Sequence, residues 1–244
     1  RQMCIRDSHL IARKGPIGDQ FADGADRFGQ DHLDAKVAVV LYDRGTGWVQ
    51  CYPKGSKTKE DTIDALNDFV GADKVAKFYS DNAGELQEAA KLLGWPRARA
   101  VPGDHQSTGL AERFVGVVKD GARTLLSQSG LAPSWWTHAI QCYCFCCNTE
   151  GGQKSAYYLR HKVLADHLRI PFGALVDYFP TPDQKPTFER KVRPGIFLGY
   201  FMQLGKFTGT YLVAEKEGFQ KSALAKPHQA VSYTHLTLPT NREV

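Results

Sequence analysis

Two acids are the residues of this chain best suited to do chemistry. Asp81 follows the short apolar and aromatic run Val75-Ala-Lys-Phe-Tyr-Ser80 and precedes the turn-formers Asn82 and Gly84. That pattern predicts a carboxylate at the C-terminal tip of a strand. Glu112 follows Pro102-Gly103 and Thr108-Gly109, early in a stretch from about Leu110 to Ser127 with Leu110, Phe114, Val117, Val118, Ala122 and Leu125 at helical spacing. Its carboxylate is expected on a helix's first turn. Two carboxylates on different elements suit a pair of divalent cations, because Mg²⁺ favours carboxylate oxygens and keeps open positions for water and phosphate. The chemistry implied is phosphoryl transfer. Spacing alone also allows an ordinary reading, with Asp81 a turn residue and Glu112 a charge that interacts with the helix macrodipole.

Longer patterns surround both acids. Phe78-Tyr-Ser-Asp-Asn-Ala-Gly-Glu-Leu86 and Pro102-Gly-Asp-His-Gln-Ser-Thr-Gly-Leu-Ala-Glu-Arg113 resemble the integrase catalytic core of retroviruses and long-terminal-repeat retrotransposons. In that family the second acid lies in a (T/S)DNxxE-like segment and the third follows a P-x-x-Q-x-x-G-x-x-E segment. Gln106, Gly109 and Glu112 keep the second pattern in register. The interval between the acids is a few residues shorter than is usual in the family, which fits a trimmed loop between Gly94 and His105. Pro171-Phe-Gly173 and Pro194-Gly-Ile-Phe-Leu-Gly-Tyr200 resemble the segment after the core in copia-type polyproteins. The resemblance covers roughly residues 9 to 229.

The resemblance implies a ribonuclease H-like fold and two Mg²⁺ or Mn²⁺ ions held by Asp81 and Glu112. It implies that water is activated to nick DNA ends and that a DNA 3′-hydroxyl then attacks target phosphate. DNA, both retroelement ends and target, is the expected partner, with assembly as a homo-oligomer and action on nuclear DNA.

A third acid is expected from the same resemblance, directly before a His-Leu-Ile-like strand. Here His9-Leu-Ile-Ala-Arg13 begins where a foreign-looking start ends: residues 1–8 and 231–244 read as translated adaptor sequence and are set aside from the fold. Asp7 is nearest the expected position, but Ser8 puts it one residue out of register. Asp23 and Asp31 lie in a Gly- and Asp-rich stretch that reads as a loop. The native first acid is expected to have been lost with that foreign start, leaving the chain as written poorly active; of the acids that could stand in for it Asp7 is favoured, and the ordinary reading makes all three solvated loop acids. Lys119, seven residues past Glu112 on the same helix face, and Arg113 are candidates for DNA phosphate, and His105 for a loop lining the metals. A solvated lysine is the plain alternative.

The elements that must position these residues read as α/β. Lys36-Val-Ala-Val-Val-Leu-Tyr42 and Trp48-Val-Gln-Cys-Tyr52 flank the turn chemistry of Asp43-Arg-Gly-Thr-Gly47, which predicts a hairpin. Ile63, Leu66 and Phe69 predict a helix from Lys59 to Val70 capped by Thr58. A strand to Asp81, a helix from Glu85 to Leu93, a short strand near Arg99 and the Glu112 helix follow. That order resembles a ribonuclease H-like mixed sheet flanked by helices, over residues 9–150. Ser134 is expected to cap a further helix carrying Trp135 and Trp136, read as core, and Cys142-Tyr-Cys-Phe-Cys-Cys147, read as buried reduced thiols. Residues 151–230 change to short β-rich runs and predict a small basic β module.

Charge and hydropathy agree with a folded protein: of 244 residues, 42% are hydrophobic and 23% charged, with a net charge of +5. The excess is local. Residues 154–230 hold 12 Lys and Arg against 6 Asp and Glu, a segment suited to phosphate contact. No run approaches the ~18 apolar residues of a membrane span and no signal peptide is visible, which predicts a soluble intracellular protein. Two rivals stand beside the enzyme: a decayed, non-catalytic nucleic-acid-binding domain of a retroelement polyprotein, and a structural or protein-interaction domain.

Overall fold

The computed structural model describes residues 8–15, 35–55, 58–80, 84–96, 105–179 and 192–216, with 8–15 and 105–112 described in backbone only. Four strands, β1 (Ser8–Gly15), β2 (Val37–Asp43), β3 (Val49–Lys54) and β4 (Val75–Ser80), form one sheet in the order β3-β2-β1-β4. The β1–β2 and β2–β3 pairs are antiparallel and β1–β4 is parallel. An antiparallel three-stranded meander joined to a parallel fourth strand next to β1 defines a ribonuclease H-like mixed sheet. The hairpin is as the turn chemistry predicts. Asp43 closes it by accepting the backbone N–H groups of Gly45 and Thr46 and the Thr46 hydroxyl.

Between β3 and β4 runs helix α1 (Lys59–Val70), whose first turn is capped by Thr58, with Oγ1 accepting the Asp61 N–H at 3.3 Å. It buries Ala65, Leu66 and Phe69. Helix α2 (Gly84–Leu92) follows β4 and turns Leu86, Ala89 and Ala90 into the core. Helix α3 (His105–Ser129) packs against β1, β2 and α4 (Trp136–Thr149). Ten of the fourteen α4 residues are buried, so this helix runs through the middle of the protein.

Three expectations need correction here. The helix carrying Glu112 begins at His105, not near Leu110, so His105 opens a helix rather than lining a loop. Gly109 looked like punctuation, but one helical glycine costs only ~1 kcal/mol relative to alanine, which a 25-residue helix packed on a sheet absorbs. Ser134 caps nothing: it lies inside the 3₁₀ turn Pro133–Trp135, and α4 starts without a side-chain cap. Burial of Trp135 and Trp136 makes a cap unnecessary there. Of the clustered thiols, Cys142 and Cys144 are buried as expected, but Cys146 and Cys147 are exposed where the last turn of α4 leaves the core. The short strand expected near Arg99 lies outside the described residues.

A second, antiparallel sheet follows in the order β5-β6-β7, from β5 (Leu175–Tyr178), β6 (Arg193–Gln203) and β7 (Lys206–Glu215). It packs on α4, where Tyr200 stacks on Phe145 with 4.0 Å between ring centroids. The β6–β7 turn is tied down at its tip. Leu204 donates its N–H to Asp68 of α1 at 2.9 Å, and Gly205 accepts from His161 on helix α5 (Ala156–His161) at 2.8 Å. Leu204 and Gly205 both hold positive φ, 48° and 70°, as a two-residue hairpin with the right strand twist requires. The neighbouring Arg160 is buried, reaches the carbonyls of Phe69 and Val70 at the end of α1, and pairs with Asp73 at 3.4 Å.

The outer edge of β3 is closed by side chains. Asn148 of α4 accepts the Val49 N–H at 2.9 Å and donates to the Val49 carbonyl at 2.7 Å, as a neighbouring strand would. The Cys144 sulfur takes a backbone hydrogen bond from Cys51, and Pro53 has no N–H to offer. Natural sheets use such devices against edge-to-edge association.

Candidate active site

Asp81 follows the last residue of β4 and, like Asp7, Asp23 and Asp31, lies outside the described residues. Glu112 is the eighth residue of α3, and its side chain, like that of His105, is outside them too. What is described is the scaffold on either side of the two acids. Across the sheet, Tyr42 of β2 pairs with Ile11 of β1, and Ile11 pairs with Tyr79 of β4. These three positions form one row, about 10 Å long at the ~4.8 Å spacing of strands. Phe114 of α3 stacks on Tyr42 at the far end of that row, with 3.7 Å between ring centroids and 19° between planes. Asp81 is two residues beyond Tyr79 and Glu112 two residues before Phe114, so a single row of the sheet links the two motifs.

The position of Glu112 removes its ordinary explanation. Macrodipole stabilisation falls off within the first turn of a helix, and Glu112 stands two turns in. Nearby, the Tyr42 hydroxyl is held above its usual range by burial first and by Asp43 second, with Arg44 and Arg113 acting against it. Arg113 is therefore close to this end of the row, and it is exposed. Lys119 is half-buried, and burial followed by the neighbouring charge of Arg123 holds its ammonium below the usual lysine range. Arg123 itself pairs with Asp120 at 2.9 Å on the open surface, a contact of little energetic weight.

The register of β1 against β4 shows which β1 residues stand level with the tip of β4. Ser8 pairs with Val75, the first residue of β4, whereas Ala12 pairs with Ser80, the last. Ser8 is thus about 17 Å from the tip of β4 at ~3.3 Å per residue, and Asp7 before it lies outside the described residues. The β1 residues level with the tip are Ala12 and, one step on, Arg13. Among the described residues no group of three His, Cys, Asp or Glu side chains could hold a metal, and no helix is long and apolar enough to cross a membrane.

No protein-family model matches the chain. It is similar to the retrovirus-related Pol polyprotein from transposon TNT 1-94 of Nicotiana tabacum, 28% identical over 138 residues, which is 52% of this chain and 10% of the polyprotein. The chain thus spans about a tenth of that relative's length. Among solved structures, a chain of the simian T-cell lymphotropic virus intasome is 16% identical, with 86% of this chain and 76% of that one covered at a TM-score of 0.43. The catalytic core domain of BIV integrase is 17% identical, with 59% and 86% covered at a TM-score of 0.41. Both likenesses are remote, and the fold rests on the strand order and pairing given above. By strand order and pairing the sheet is ribonuclease H-like, and over about half its length the chain is similar to part of a retroelement Pol polyprotein.

Proposed function

We propose that this domain acts on DNA by phosphoryl transfer, with Asp81 and Glu112 holding two Mg²⁺ or Mn²⁺ ions. The observation that supports it best is the row Tyr79–Ile11–Tyr42 with Phe114 stacked at its end, because it brings the strand leading to Asp81 and the helix carrying Glu112 to one part of the sheet. Carboxylate oxygens are hard donors suited to Mg²⁺. Bound metal would supply charge neutralisation at the phosphate and a water of lowered pKa. Arg113 and Lys119 would meet DNA phosphate on the same helix, and the basic segment 154–230 would add sequence-independent contacts that weaken steeply with salt. Assembly as a homo-oligomer on retroelement ends and nuclear target DNA belongs to the same reading.

A non-catalytic nucleic-acid-binding domain is the second reading, and one observation favours it. Level with the tip of β4, β1 offers Ala12 and Arg13, neither of which is a metal ligand. The two readings separate in one experiment: strand transfer with oligonucleotide ends in Mg²⁺ or Mn²⁺, beside calorimetric titration of the metal. Catalysis by two carboxylates gives weak activity that Asp81→Asn or Glu112→Gln abolishes, and Arg13→Asp raises both activity and metal affinity. DNA binding without any metal-dependent turnover in either the native chain or Arg13→Asp would leave the second reading standing.

A further inference from the structure

At the opposite edge of the sheet from β4, a cavity of about 470 Å³ opens between β3, α1, α4 and the β6–β7 hairpin. Its volume is in the ~300–1,000 Å³ range of small-molecule sites. Tyr52, Phe145, Tyr200 and Phe201 supply aromatic walls. In the lining, Gln50 is only 9% exposed, and its Oε1 accepts the Trp48 indole N–H at 3.2 Å. Because an indole nitrogen can only donate, this bond fixes which way the amide points. The Gln50 Nε2 is thus a buried pair of donors with no partner among the described residues. A buried polar group in that state is costly and calls for an explanation.

The charges around the cavity restrict what could satisfy it. Asp64, Asp68 and Lys54 line it, giving two carboxylates against one ammonium. Asp68 is already engaged, accepting from the Tyr52 hydroxyl at 2.8 Å and from the Leu204 N–H at 2.9 Å. Such a rim disfavours a phosphate. Flat aromatic walls and a primary amide that needs an acceptor favour a planar ring carrying a carbonyl or an unprotonated ring nitrogen. We propose that this cavity binds an uncharged nucleobase ring, as a free nucleoside or as an unstacked base of a nucleic acid, with its acceptor on the Gln50 amide. β3 is the edge of the four-stranded sheet opposite β4, the strand that leads to Asp81, and neither acid is among the residues that line the cavity, so the proposal does not depend on their chemistry.

Uridine is the probe, observed with the full chain by saturation-transfer NMR and by quenching of tryptophan emission, since Trp48 lines the cavity. Gln50→Glu keeps the acceptor for Trp48 and the side-chain volume but replaces the donors by lone pairs. The expected result is saturable uridine binding, weaker binding of uridine 5′-monophosphate, and a loss of about tenfold or more in Gln50→Glu with an unchanged circular dichroism spectrum. Should Gln50→Glu fail to fold, Phe201→Ala, which trims a partly exposed wall, must weaken uridine instead. A thymidine oligonucleotide that competes with uridine identifies a nucleic-acid base as the source, and binding of uridine alone identifies a free nucleoside. Absence of both at millimolar concentration, or equal affinity in the native chain and the variants, overturns the proposal. Loss of strand transfer in Asp81→Asn bears only on the acids, and leaves this result where it stands.

Discussion

Tyr42 and Phe114 lie ring on ring, 3.7 Å between centroids, and through this stack the third helix is keyed to a particular row of the sheet. A helix on a sheet can slide by a turn with little change in apolar contact. A near-parallel aromatic pair selects one position along the strand and so fixes the height of Glu112 above β1 and β4.

Phe114→Ala is therefore expected to cost about 1–3 kcal/mol in chemical denaturation, the range for deleting a part-buried aromatic, and, on the proposed two-metal reading, also to weaken Mg²⁺ binding. Phe114→Leu keeps most of the apolar area but not the stack. Titration calorimetry on both variants tests the keying: metal affinity that tracks stability alone, with Phe114→Leu behaving as the native chain, would show that the stack does not position the site.

Acid should loosen the joint between α5 and the β6–β7 turn. His161 donates from Nε2 to the Gly205 carbonyl, and its pKa is lowered, mainly by burial and next by Arg160, with Asp73 opposing and Lys206 adding a little. His167, packed against Phe145 and Tyr200, is also lowered, by burial first. A histidine with a depressed folded-state pKa binds fewer protons folded than unfolded. Stability is thus full above the ordinary value of 6.5 and declines as pH falls from there toward the depressed value, below which the loss is complete. Thermal melts from pH 7.5 to 5 should show this fall, and His161→Gln, which can still donate to Gly205, should flatten it. A slope unchanged in His161→Gln and in the double variant with His167→Gln would assign the effect to other groups.

The hairpin of β2 and β3 was legible because Asp43-Arg-Gly-Thr-Gly47 is local turn chemistry, and α1 because Thr58 and three apolar residues mark its start and its face. The paired motifs around Asp81 and Glu112 were legible as residue types at fixed spacing. What failed was also local in cause. Gly109 reads as a stop but is carried inside α3, and Ser134 reads as a cap but follows Pro133 into a 3₁₀ turn. The register of β1 against β4 could not be read, since parallel partners meet only through the whole fold, and it is this register that sets Ser8 far from the tip. Gln50 gave a faint signal. Trp48, Gln50, Tyr52 and Lys54 alternate along one strand, which puts all four on one face, but nothing in the sequence shows what that face meets.

Gly121 lets α3 and α4 approach. A Cβ at this position would overlap the ring of Tyr143, whose hydroxyl pKa is pushed up to about 12 by burial and by its hydrogen bond to Cys147. In an open helix Gly→Ala gains ~1 kcal/mol. Here Tyr143 must swing away and lose its sulfur partner, so Gly121→Ala is expected to be destabilising by about 1–2 kcal/mol, as overpacking is. In a Tyr143→Ala background the same change should become stabilising. A double-mutant cycle with no coupling would mean that the helices do not meet there.

Asn148 carries the last prediction, because one side chain stands in for a missing strand. It is 2% exposed, and its two bonds satisfy both backbone groups of Val49, itself 5% exposed. Asn148→Ala leaves an N–H and a C=O buried beside an apolar methyl, at ~1–3 kcal/mol for each group that water does not reach. Partial hydration of the gap lowers the sum, so about 3 kcal/mol is expected in urea denaturation. The edge of β3 also becomes available for pairing with another chain, so the variant should scatter light on mild heating when the native protein remains clear. Asn148→Gln tests geometry over chemistry: it has the same amide on a longer arm, and should recover little if the bidentate fit is what matters. A loss under ~1 kcal/mol in Asn148→Ala, with no added scattering, would mean that Val49 is satisfied in another way and that the edge is guarded by Cys144 and Pro53 alone.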